Sequence, residues 1–108
     1  MRLKRIELDE CLFPVQAFFN ALSDDEFIRV IGLLSNRVGY HPDYCHCYFP
    51  EDLDPGEELF EGVCFSIFED KIVISLEELN DVIRLACAEY VSRNPVDEGR
   101  VKEILDRL

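Results

Sequence analysis

Two helix starts, at Ser23 and Ser75, constrain the fold of this chain more than any other feature of its sequence. Ser23-Asp-Asp-Glu26 and Ser75-Leu-Glu-Glu78 each set a serine three residues before a glutamate. This is the capping-box pattern, in which the two side chains satisfy backbone N–H groups that a new helix leaves unpaired. Phe27, Ile31 and Leu34 follow the first box, and Leu79, Ile83, Cys87 and Tyr90 the second, each set on one face of a helix. Gly39 and Pro42 close off the earlier helix. The stretch from there to Ser75 is left to strands and loops.

Within that stretch, Tyr44 to Phe49 alternates aromatic with small residues and reads as a strand. Val63 to Phe68 reads as a second strand, and Ile72 to Ile74 as a third, with Asp70-Lys71 as the turn between them. Pro50 to Glu61 carries Pro55-Gly56 at its centre and reads as a loop. Before the first box, Pro14 to Leu22 sets Val15, Phe18, Phe19 and Leu22 on one helical face. After the third helix, Asn94 and Pro95 restart the chain as cap and first helical residue. Val101, Ile104, Leu105 and Leu108 then form the last apolar stripe. Helices at both ends of one block of strands indicate an α+β fold: a small antiparallel sheet of about three strands with helices from both termini packed against it. At 108 residues the chain, read as 1–108, makes one domain around one core.

Charge narrows the choice of partner. Eleven Lys and Arg stand against 23 Asp and Glu, a formal net charge of −12. A field of that sign repels nucleic acid and anionic membranes and steers basic proteins inward. The imbalance is local as well as global, because Val38 to Asp70 contains no Lys or Arg. That stretch holds Glu51, Asp52, Asp54, Glu57, Glu58, Glu61, Glu69 and Asp70, six of them between positions 51 and 61. Acids so crowded repel one another until a basic partner relieves them. Tyr40, Tyr44, Tyr48 and Phe60 lie among them and supply candidate aromatic anchors. We take these twelve residues as the expected partner-binding set.

Other chemistries fit less well. His41, Cys45, His46 and Cys47 are crowded enough to suggest a metal or a thiol nucleophile. On a strand, however, Cys45 and Cys47 face one way and His46 the other. The paired spacing of a zinc site is missing, as is an EF-hand register around Asp52. No phosphate loop or nucleophile elbow occurs. The expectation is a binding protein, not an enzyme, with no metal and no cofactor. The alternatives are an acidic adaptor for another basic protein, or a small metal or thiol enzyme around His41 to Cys47. Charges at Glu7, Asp9 and Glu10 interrupt any signal-peptide pattern, no apolar run is long enough to span a membrane, and the five cysteines read as reduced thiols. A cytoplasmic protein is expected.

Several segments resemble a known bacterial family. Leu34-Ser-Asn-Arg-Val-Gly-Tyr40, Cys45-His-Cys-Tyr-Phe-Pro-Glu-Asp52, Phe60-Glu-Gly-Val63 and Ile72-Val-Ile-Ser75-Leu-Glu-Glu78 are similar to immunity proteins of contact-dependent growth inhibition systems, of the type that protects against ribonuclease toxins. The resemblance runs from about Leu12 to Leu108. It implies a cytoplasmic antitoxin that binds the C-terminal nuclease domain of a cognate toxin, with no direct contact to nucleic acid or membrane. A nuclease gripping RNA needs a basic cleft, which carboxylates can fill.

Overall fold

The computed structural model describes residues 8, 10–42, 44–50 and 61–108. A 3₁₀ turn, Glu10–Leu12, leads into α1 (Phe13–Ala21) and then α2 (Asp24–Ser35). Strands β1 (Cys45–Tyr48), β2 (Val63–Ile67) and β3 (Asp70–Ile74) come next, then α3 (Leu76–Arg93), a second 3₁₀ turn (Pro95–Asp97) and α4 (Glu98–Leu105). The order and the α+β class are those the sequence implies.

Both capping boxes form. The Glu26 carboxylate accepts from the Ser23 N–H at 2.9 Å. At α3, the Ser75 hydroxyl accepts from the Glu78 N–H at 3.0 Å and Glu78 accepts in return from the Ser75 N–H at 3.1 Å. Helix α2 ends in a Schellman motif: Val38 N–H reaches the Leu33 carbonyl and Arg37 N–H that of Leu34. Arg37 occupies the left-handed position at φ 60°, where glycine is usual. The helix therefore stops before Gly39. Asn94 does not cap α4 with its side chain; its amide donates to Asp24 at 3.3 Å and to the Tyr90 carbonyl at 3.2 Å, and a 3₁₀ turn intervenes before that helix.

The sheet is antiparallel in the order β1-β2-β3. Phe65 lies between Cys47 on one side and Ile72 on the other, and Val63 faces Ile74. These side chains share the face on which α1 lies. Phe18 of α1 meets Phe65 edge-on, with ring centroids 5.2 Å apart, and Phe19 packs at 6.0 Å. Cys45 and Cys47 are small buried residues of this core.

Among the other helices, α2 and α3 each pack on α4. Phe27 of α2 stacks flat on Tyr90 of α3 at 4.5 Å. Arg93 at the end of α3 pairs with Asp24 at the start of α2. The Tyr90 hydroxyl donates to Asp97 at 2.5 Å, and its pKa is pushed up to about 12, first by burial and then by that carboxylate. Burial alone pushes the Cys87 thiol to about 12, so it stays protonated and inert.

The tight turn of the β2–β3 hairpin lies at Phe68-Glu69, not at Asp70-Lys71. Ile67 pairs with Asp70, which leaves a two-residue loop. This register aligns five residue pairs and ends at Ile74, immediately before the Ser75 cap. A turn two residues later leaves only Ile72 to Ile74 available for pairing, since Ser75 already begins a helix. The longer ladder wins, even though it forces Phe68 to φ 52°.

Candidate partner-binding face

With α1 on one face of the sheet, the opposite face is built from the alternate residues. His46, Ser66 and Lys71 are in register across it, as are Tyr48, Cys64 and Val73. Cys64 is wholly buried although it belongs to this second face and not to the main core. Tyr48 lies beside it: burial and then the Cys64 thiol raise the pKa of the tyrosine, while Lys71 pulls it back.

At one end of the sheet, Tyr44 precedes β1 and Phe68 comes just after β2, each one residue beyond the Cys45–Ile67 pair. Their rings stack at 5.3 Å, tilted 27°. Both are open to solvent, Tyr44 at 69% and Phe68 at 77%. Glu69 and Asp70 adjoin them and are exposed. His41 and His46 lie next on the same face, with their Nδ1 atoms 3.1 Å apart, one ring donating to the other. At the opposite end of β2, Glu61 and Gly62 line a shallow recess with Val73, Ser75 and Leu76. Glu61 and Glu69 are thus separated by the strand, roughly 20 Å at about 3.3 Å per residue. Among the described residues, Glu61, Glu69 and Asp70 enter no ion pair; Arg93–Asp24 ties α3 to α2, and the other pairs lie three or four residues apart along the chain in the C-terminal helical region.

The expected contact residues therefore fall into groups. Tyr44, Glu69 and Asp70 come together at the hairpin end, and Glu61 sits at the far end with Tyr48 between. Tyr40 is placed differently. It is half-buried, its backbone pairs with Cys47, and its hydroxyl donates to Glu26 at 2.6 Å while accepting from Arg29 at 3.1 Å. The same bond, with the Ser23 N–H second to it, holds the Glu26 carboxyl below the usual range. Glu51, Asp52, Asp54, Glu57, Glu58 and Phe60 lie outside the described residues. Phe68 was missed by sequence reasoning because it reads as the last residue of a strand. The signal that could have found it is an aromatic residue directly before two acids at a hairpin.

Among the described residues no cluster of three or more His, Cys, Asp or Glu side chains is placed to hold a metal. No helix among them is long and apolar enough to cross a membrane.

A family model described as CDI immunity protein matches residues 11–105 of the chain. The chain belongs to the CDI immunity protein family. The match takes in both capping boxes, all three strands and both ends of the acidic stretch, so the outer sheet face lies within it. No curated protein matches the chain. A CDI immunity protein neutralises a toxin, and its partner is accordingly a cognate toxin protein.

Proposed function

We propose that this immunity protein acts in the cytoplasm and binds the C-terminal nuclease domain of its cognate toxin, a ribonuclease, by laying its acidic outer sheet face across the basic nucleic-acid cleft. The observation that carries this reading is a sheet with exposed acids at both its ends, Glu61 at one and Glu69 and Asp70 at the other, in a stretch from Val38 to Asp70 without Lys or Arg. Glu61, Glu69 and Asp70 supply charge, together with Glu51, Asp52, Asp54, Glu57 and Glu58. Tyr44, Tyr48 and Phe60 supply contact area. Tyr40 serves from behind, by tying β1 at Cys47 to α2 at Glu26.

The physics of such a complex is simple. A cleft that binds RNA concentrates Lys and Arg, and unpaired carboxylates on a rigid sheet meet them without new ordering. Complementary fields speed encounter well above the about 10⁵–10⁶ M⁻¹s⁻¹ of uncharged pairs. Occupying the cleft excludes substrate, so no chemistry by the inhibitor is required.

Co-expression with the C-terminal domain of the protein encoded directly upstream tests this reading. That domain alone is expected to stop growth and degrade RNA. With this chain present, growth and intact RNA return and the two proteins co-purify. A domain that kills while RNA stays intact removes the ribonuclease assignment, and killing that continues despite this chain removes the partner assignment.

A further inference from the structure

Phe68 occupies a place that the fold would fill better with another residue. Two-residue hairpin loops need φ above zero at their first position, and glycine, asparagine or aspartate supplies it with least strain. This chain puts a phenylalanine there at φ 52°, an uncommon conformation for a bulky side chain. The ring gains little from the core in return, since it is 77% exposed. Among the described residues its ring neighbour is Tyr44, stacked at 5.3 Å and itself 69% exposed. A strained backbone that holds an aromatic ring in water points to a use outside the folded chain.

We propose that the Tyr44–Phe68 stack is a platform that receives an arginine side chain of the toxin domain. This rests on the proposed function, and it names the contact at the hairpin end of that face. The chemistry is specific to a cation. Aromatic faces are negative at their centres and attract guanidinium groups, arginine more often than lysine. Glu69 comes directly after Phe68, is exposed, and offers a carboxylate to the edge of a guanidinium lying on the ring; Asp70, in register with Ile67, belongs to the other face of the sheet. Lys71, the one base nearby in sequence, is exposed on the same outer face and interacts with Tyr48 instead. An uncharged apolar partner would leave the Glu69 carboxylate desolvated and unpaired, which disfavours it.

The test separates a binding role from a structural one because the two demand opposite signs. Phe68→Gly removes the ring and relieves the strained φ. We expect an unfolding midpoint in urea no lower than that of the parent chain, and at least tenfold faster dissociation from the upstream-encoded toxin domain. Phe68→Tyr keeps the ring and is expected to dissociate within threefold of the parent. Two results overturn the inference: an unchanged dissociation rate for Phe68→Gly, or a clear loss of stability that shows the ring serving the fold. If the parent chain itself fails to bind the toxin domain, the proposed function fails and this contact falls with it. If the parent binds and Phe68→Gly binds equally well, the platform alone is refuted.

Discussion

Gly62→Ala is expected to destabilise the protein by about 3 kcal/mol or more, a large part of what a domain of this size has to lose. Gly62 sits at φ 99°, where an L-residue is strained whatever the space around it. Space is also lacking. A Cβ there would lie 2.1 Å from the Ile74 carbonyl oxygen and 3.0 Å from its carbonyl carbon. Both are backbone atoms of the β3 residue that pairs with Val63. Neither can swing aside, so the end of the β2–β3 ladder must open where it feeds the Ser75 cap. Gly99→Ala is the control: nothing lies within 4 Å of the added carbon, and alanine suits the helical position. Urea unfolding should show a much lower midpoint for Gly62→Ala and an equal or slightly higher one for Gly99→Ala. A loss below about 1 kcal/mol at Gly62 contradicts this account of the hairpin.

Phe65→Ala is expected to cost about 3–5 kcal/mol, the range for emptying a buried aromatic site. Phe65 is fully buried in the central strand, flanked in register by Cys47 and Ile72. Its ring is the point at which Phe18 and Phe19 of α1 meet the sheet. Alanine leaves a cavity that two strands and a helix would have to close together, and a sheet in register does not collapse by that much. The loss should appear as a reduced thermal midpoint and as weakened protection in cells, because less folded antitoxin is present. A loss under about 2 kcal/mol would mean that α1 does not rest on Phe65.

The parts of the fold legible in the sequence are those set by neighbours in the chain. The boxes at Ser23 and Ser75 are local bonding patterns, and both form. The stripe Val15, Phe18, Phe19 and Leu22 is a matter of spacing, and all four residues are buried. The features that escaped were decided by distant parts of the chain. Asp70-Lys71 looks like a better turn than Phe68-Glu69 when only local preference is weighed. Pairing along the whole of β2 overrides that preference. Arg37 likewise ends α2 in a conformation that suits glycine, while Gly39 lies two residues further on.

The candidate site was legible to a lesser degree. Charge along the sequence finds Glu69 and Asp70 but not the roughly 20 Å of strand that separates them from Glu61. Aromatic content finds Tyr40 and Tyr44 alike. Only the fold shows one hydroxyl tied to Glu26 and Arg29 and the other ring stacked in solvent on Phe68.

Association kinetics with the toxin domain test the central claim, that an acidic sheet face meets a cationic partner. The variant is Glu61→Lys, Glu69→Lys and Asp70→Lys combined, three exposed positions where reversal leaves the core intact. At low salt the triple variant is predicted to associate at least tenfold more slowly than the parent. The gap should narrow as salt shortens the reach of the field, to about 8 Å at physiological ionic strength. An association rate that matches the parent chain at every salt concentration would contradict the claim and move the interface to another face of the molecule.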